Sequence, residues 1–267
     1  MEFDLSKIES SKSDMNRGVR LPTCLNEELS EFMGIVAGDG HLHFSIGKQK
    51  GGTPLIRSDL IIACNKNEQG YIRFIMNLFY LLFNTKLSYE PDKRSQTILL
   101  RAHSKSIVQF LNKVCEIPLN RKSDIVFIPD IVRNADCNIK YAFLRGLADT
   151  DFSITFRYRQ GKGHVYPSIR GNFKSKTLVN HLELLFKELG FSYCVCYDVT
   201  KNDKRFGPTT INQIYLNGKD NFKRWIKCIG FSNSKFQRKA EKWQKEGVCP
   251  PEYKEPPRGI APPTSIR

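Results

Sequence analysis

Between residues 29 and 36 apolar side chains recur at Leu29, Phe32, Met33 and Val36, the i, i+3, i+4, i+7 spacing of one helix face, and Asn26 stands where it can cap the start. Past Asp39 the period falls to two. Leu42, Phe44 and Ile46 alternate with His41, His43 and Ser45, which predicts a strand with one face in the core. The turn residues Lys50-Gly51-Gly52-Thr53-Pro54 then predict a hairpin whose second strand covers Leu60 to Cys64. A helix through Tyr71, Phe74, Ile75, Leu78, Phe79 and Leu82 follows, then strands Lys86 to Glu90 and Thr97 to Ala102 and a helix from Ser104 to Cys115. The order is αββαββα, and it recurs. Helix Ile139 to Ala148, strand Ser153 to Arg159, turn Gly161-Lys162-Gly163, strand Ser168 to Phe173, helix Lys176 to Leu189, strands Ser192 to Val199 and Thr210 to Leu216, and helix Lys219 to Ile229 form the second copy. A further amphipathic helix, Ser234 to Lys245, comes after it.

The recurrence extends to residues. An offset of 112 lays Gly34 on Gly146, Asp39 on Asp151, Phe110 on Phe222 and Ile117 on Ile229, and brings Lys122 within one residue of Lys235. The fold class expected is therefore α+β, built from two pseudo-symmetric αββαββα repeats over 25–135 and 136–246. Residues 1–24, rich in Ser and Lys without an apolar period, read as a flexible N-terminal arm, and the Pro-rich stretch 247–267 reads as an extended tail. Ser30, Gly34 and Gly38 form a stripe of small residues at spacing four, matched by Ala142, Gly146 and Thr150. Two helices with such stripes pack with their backbones close, here about a pseudo-twofold axis at the repeat interface. Each helix then ends in an Asp beside its twin. Asp39 and Asp151 each meet the negative end of a helix dipole and one another, a double penalty that a divalent cation removes.

Charge narrows the partner. The 267 residues carry 42 Lys and Arg against 27 Asp and Glu, a formal +15 that attracts polyanions, nucleic acid first. The longest dense apolar stretch, Leu78 to Phe83, is too short to span a bilayer, and Met1-Glu2-Phe3-Asp4 lacks the apolar run of a secretory signal. An intracellular protein is expected, in cytoplasm, nucleoid or organelle matrix, with no membrane partner. Its eight cysteines form no CxxC pair, and His41 with His43 finds no further ligand at zinc spacing. From Phe152 to Leu182 there is no acid, while Arg157, Arg159, Lys162, Arg170, Lys174 and Lys176 appear. The parity that carries His41, His43 and Ser45 in one half carries Ser153, Thr155 and Arg157 in the other, and Arg159 follows in register. Polar strand faces of this kind fit the major groove, so His41, His43, Ser45, Lys48, Ser153, Thr155, Arg157, Arg159, Lys162 and Arg170 are the candidate DNA contacts.

Phe-Met-Gly-Ile-Val-Ala-Gly-Asp-Gly at 32–40 and Leu-Arg-Gly-Leu-Ala-Asp-Thr-Asp-Phe at 144–152 resemble the paired motifs of the LAGLIDADG homing endonucleases in their single-chain form. The resemblance implies a DNA-binding saddle with the motif helices at its centre. It also implies Mg²⁺-dependent double-strand cleavage at a long target, across the minor groove, by a monomer. Mn²⁺ is expected to substitute and Ca²⁺ to bind without cleavage. The metal ligands implied are the Asp39 and Asp151 carboxylates with the carbonyls of Gly38 and Thr150. Lys122, Lys235, Asn65 and Lys174 are implied as the polar residues that position water and phosphate. Phe152 stands where the family has glycine, which bears on the backbone beside Asp151. Two other roles fit the scaffold: an intron maturase binding host intron RNA, and a DNA-binding regulator without catalysis.

Overall fold

The computed structural model describes residues 2–48, 54–93, 95–203 and 207–251. Its elements in chain order are α1 (Lys12–Asn16), α2 (Glu27–Gly38), β1 (Gly40–Lys48), β2 (Pro54–Asn65), α3 (Gln69–Phe83), β3 (Ser88–Pro91), β4 (Thr97–His103), α4 (Lys105–Lys113) and α5 (Asp130–Arg133). There follow α6 (Cys137–Asp151), β5 (Phe152–Arg159), β6 (Gly163–Phe173), α7 (Lys176–Glu188), β7 (Cys194–Asp203), β8 (Gly207–Asn217), α8 (Lys219–Cys228) and α9 (Ser234–Glu246). Local chemistry sets the helix starts. The Asn26 side chain accepts the Leu29 N–H at 2.9 Å, Ser104 and Ser175 do the same for Ile107 and Leu178, and Asp136 accepts from Asn138 and Ile139.

The eight strands form two antiparallel sheets of identical order, β1-β2-β4-β3 and β5-β6-β8-β7. One face of each carries the apolar alternation and packs on helices. Leu42, Leu60, Ile62 and Leu100 meet the Phe79, Phe83 and Phe110 side of α3 and α4, and Phe152, Ile154, Ile169 and Ile214 meet Phe186, Phe222 and Trp225 of α7 and α8. Between the sheets α2 lies on α6. A Cβ on Gly34 would stand 2.2 Å from the Phe143 carbonyl oxygen, and one on Gly146 would stand 2.0 Å from that of Glu31. Phe143 and Glu31 are themselves 112 residues apart, so the two helices exchange equivalent contacts. The Ser30 hydroxyl adds a cross-helix bond to the Ile139 carbonyl at 2.7 Å.

Three expectations are corrected. The first 24 residues are not a flexible arm: Phe3 packs edge-on against Phe110 at 5.8 Å, and the Phe3 N–H donates to Thr23. Asp14, 1% exposed, accepts the N–H groups of Ser11 and Ser106 and pairs with Arg17 at 2.9 Å. Its apolar anchors, Phe3, Leu5, Val19 and Leu21, are spaced singly along an irregular path, so no period announces them. Ile46 and Tyr158, placed by parity on the core face, are 68% and 63% exposed, because both hairpins run past the helices that cover their bases. α1 and the one-turn α5 were not expected. The hairpin turn at 49–53 and the tail from 252 onward lie outside the described residues, as does the Lys48 side chain, whose backbone pairs with Pro54.

A candidate metal-dependent active site between the motif helices

The stripes of small residues bring the carbonyl ends of α2 and α6 together, and the two motif aspartates with them. Asp39 caps α2, its N–H bonded to the Ile35 carbonyl, and Asp151 is the last residue of α6. A Cβ on Gly38 would stand 2.0 Å from the Thr150 hydroxyl and 3.3 Å from Asp151 Oδ2, so the carboxylate of one helix reaches the last turn of the other. Lys122 enters from the loop after α4. Its Nζ donates to the carbonyls of Val36, Ala37 and Gly38 at 2.5, 2.6 and 2.5 Å, an ammonium seated on the negative end of α2.

The electrostatics follow from this crowding. Asp39 keeps an exposed face, yet the protein packed around it, and then Asp151, push its pKa up to about 7, against the pull of Lys122. Burial pushes Asp151 up to about 6, again opposed by Lys122. Burial pushes Lys122 down to about 8, opposed by Asp151 and then Asp39. Two hard oxygen donors that resist ionisation side by side, edged by helix-end carbonyls, are the donor set a divalent cation takes. Among the described residues no group of three His, Cys, Asp or Glu gathers here.

Beside Asp39 opens a cavity of about 230 Å³ lined by Asn65, Glu68, Tyr71, Asp149, Thr150, Asn233 and Lys235 among others. Asn65 and Lys235 thus line the same cavity as Asp39. Lys174 holds the corresponding place in the second half, three residues past the partner of Phe152 as Asn65 is three past the partner of Gly40; its side chain is exposed and its carbonyl accepts from Asn212 at 3.0 Å. The Gly38 carbonyl, an implied metal ligand, is shared with the Lys122 ammonium. The sequence reading passed over Glu68 and Asp149. The repeat offset places Asn180 opposite Glu68 and Ala37 opposite Asp149, so neither has a twin to mark it. Asp149 is buried, its Oδ2 accepting the Ser232 and Asn233 N–H groups at 2.6 and 2.9 Å, and burial pushes it up to about 8. Its Oδ1 and the buried Tyr71 hydroxyl have no hydrogen-bond partner among the described residues.

Phe152 adopts an ordinary extended conformation, φ −97° and ψ 155°, and packs its ring between Phe173 and Trp225 at 5.6 and 6.1 Å. The corresponding position in the first half is glycine for a steric reason: a Cβ on Gly40 would lie 2.5 Å from the Val36 Cα.

The helix-free faces of the sheets carry the remaining candidates. Register places His43, Asp59 and His103 in one row and His41, Ile61 and Arg101 in the next. Arg101 bridges Glu90 at 3.1 Å and Asp59 at 3.7 Å. In the second sheet Ser153 stands opposite Arg170, Thr155 opposite Ser168, and Arg157 opposite Tyr166. Arg170 lies over the Tyr215 ring at 5.0 Å and Arg159 over Tyr166 at 4.3 Å. Lys162 is at the exposed tip. Ser45 bonds His43 Nε2 at 3.0 Å. No described helix is long and apolar enough to cross a membrane.

No protein-family model matches the sequence, and no curated protein matches it. Solved structures do. The crystal structure of I-DmoI in complex with DNA and Mn aligns at TM-score 0.51 and 20% identity, over 78% of this chain and 98% of its own. Mesophilic variants of the same homing endonuclease align at 0.50 and 18%, over 76% and 95%. The meganuclease I-SmaMI bound to uncleaveable DNA aligns at 0.53 and 14%, over 84% and 90%. The chain has the two-repeat fold of the LAGLIDADG homing endonucleases.

Proposed function

We propose that the protein is a site-specific homing endonuclease of the LAGLIDADG kind, which makes metal-dependent double-strand breaks in a long DNA target. One observation carries the reading: Asp39 and Asp151 end two helices packed backbone to backbone, with the Lys122 ammonium on the last turn of α2. The DNA complexes of I-DmoI and I-SmaMI, and the Mn in one of them, support the substrate class and the use of a divalent ion.

Asp39 and Asp151 would hold the cation, together with the Thr150 and Gly38 carbonyls. When bound it supplies Lewis-acid activation of water and of the scissile phosphate. Mg²⁺ is the expected ion, Mn²⁺ a substitute and Ca²⁺ a non-productive ligand. Lys122 and Lys235 stabilise charge developing on the phosphate, and Asn65 orients water from the cavity side. The polar sheet faces grip the major groove on either side, so that the helix pair stands over the minor groove. A single chain holding both motif aspartates needs no second copy, and a monomer is the functional unit.

Incubating the protein with a randomised duplex library and Mg²⁺, then sequencing cleaved ends, tests the reading. Enrichment of one long, imperfectly palindromic site is expected. Retention of the library uncut, with RNA bound in preference to DNA, would overturn it.

A further inference from the structure

The two halves put their corresponding lysines to different use. Lys122 needs no carboxylate to fix it, because three carbonyls of α2 hold its ammonium. Lys235 cannot take the equivalent seat on α6. It is displaced by one residue from exact repeat register, and Asp149 already anchors the chain there through the Ser232 and Asn233 N–H groups. Lys235 is instead 45% exposed in its side chain, with its ammonium 3.2 Å from Glu68 Oε1.

Glu68 is unusual for its place in the chain. It stands at the start of α3 without capping it by its side chain. The carboxylate turns across to the other half, where Oε2 accepts from Asn233 Nδ2 at 2.7 Å and Oε1 faces Lys235. Asn233 is 1% exposed and itself caps α9, its Oδ1 accepting the Lys235 N–H at 3.0 Å. Glu68 is therefore held by a rigid, buried amide at one oxygen and presents the other to a flexible ammonium. All of these groups border the cavity beside Asp39 and Asn65.

We propose that Glu68 is a positioning residue that holds Lys235 in the Asp39 side of the site, and so sets the rate at which one of the two DNA strands is cut. This rests on the endonuclease reading. A partly exposed ion pair adds little to stability, so the role should appear in kinetics before it appears in melting. A long ammonium side chain left untethered spends most of its time away from the phosphate, and only the strand that depends on it suffers.

Strand-resolved cleavage of the selected target in Mg²⁺ tests this, with each strand end-labelled. Glu68→Ala should slow one strand by roughly tenfold or more, the same strand that Lys235→Met slows, with nicked duplex accumulating. Glu68→Gln, whose amide oxygen still accepts from Lys235, should recover part of the rate. The double variant Glu68→Ala/Lys235→Met should be no slower than Lys235→Met alone, since a residue acting through another adds nothing once that one is gone. Equal slowing of both strands, additive effects in the double variant, or no effect of Glu68→Ala would each overturn the proposal. If Glu68→Ala fails to fold, Glu68→Gln decides the matter through the same strand ratio. A parent protein that cuts neither strand overturns the endonuclease reading, and this assignment with it.

Discussion

Asp39 and Asp151 are carboxylates placed where ionisation is opposed by burial, by each other and by the ends of their own helices. The consequence for stability has a definite sign. A carboxylate whose folded pKa lies above its unfolded value binds its proton more tightly in the fold, so metal-free stability falls as pH rises from about 4 towards 7. Lys122, pushed down only to about 8, keeps its proton in both states across this window and contributes no slope. The melting temperature of the metal-free protein should therefore drop between pH 5 and 7, and Asp39→Asn should lessen that drop, with Asp151 and Asp149 supplying the rest. Mg²⁺ should raise the melting temperature of the parent at pH 7 and leave Asp39→Asn nearly unmoved. Asp39→Asn and Asp151→Asn should both lose double-strand cleavage while keeping DNA binding in Ca²⁺. An identical pH slope in parent and variant, or full cleavage by either variant, would reject this placement of charge. The pair was legible in the sequence because the repeat doubles it. Glu68 and Asp149 were not, since each belongs to one half only and gains its meaning from contacts more than 80 residues away.

At the level of elements the α2–α6 pair holds the molecule's geometry, and two glycines set its spacing. Gly34→Val or Gly146→Val must drive a branched side chain into a backbone carbonyl that even a Cβ would meet at 2.2 or 2.0 Å. No flexible side chain can yield there. Each substitution should cost at least the ~3 kcal/mol at the upper end of overpacking, which for a chain of this size lowers the melting temperature by roughly 10 °C. Calorimetry of both variants checks this, and unchanged melting in either would show that its glycine does not set the contact. This contact was readable from spacing alone, because small residues every fourth position have little other use on two buried helices. The hairpin tips were less readable: alternation tells which way a side chain points, and cannot tell where the covering helix stops, so Ile46 and Tyr158 were misplaced. The N-terminal segment failed for the converse reason. Its buried groups, Phe3 and the Asp14 cap, act singly, and periodicity detects only what recurs.

Across the whole molecule the two sheets share topology and differ in charge. The first carries His41, His43 and His103 on its helix-free face with the buried Asp59 and the half-buried Glu90, the acids being matched to Arg101 and His103. The second exposes Arg157, Arg159 and Arg170 from a run without acids. Its fixed positive charge should carry more of the salt-dependent affinity, and the tip and the strand should divide the work. Lys162 projects from an exposed turn, suited to phosphate, whereas Arg157 lies in the strand row beside Thr155 and Tyr166, suited to base edges. Arg159, on the same strand, has its guanidinium over the Tyr166 ring at 4.3 Å. Lys162→Ala should weaken all sequences alike and lower the slope of log affinity against log salt by about one. Arg157→Ala or Arg159→Ala should cost about 1–3 kcal/mol on the preferred target and relax preference at one base position. Site-preference profiles and salt titrations of the three variants separate these outcomes. Arginine variants that shift only the salt slope, with the preference profile intact, would mean that the second sheet grips the backbone and that sequence is read by the histidine-bearing first sheet.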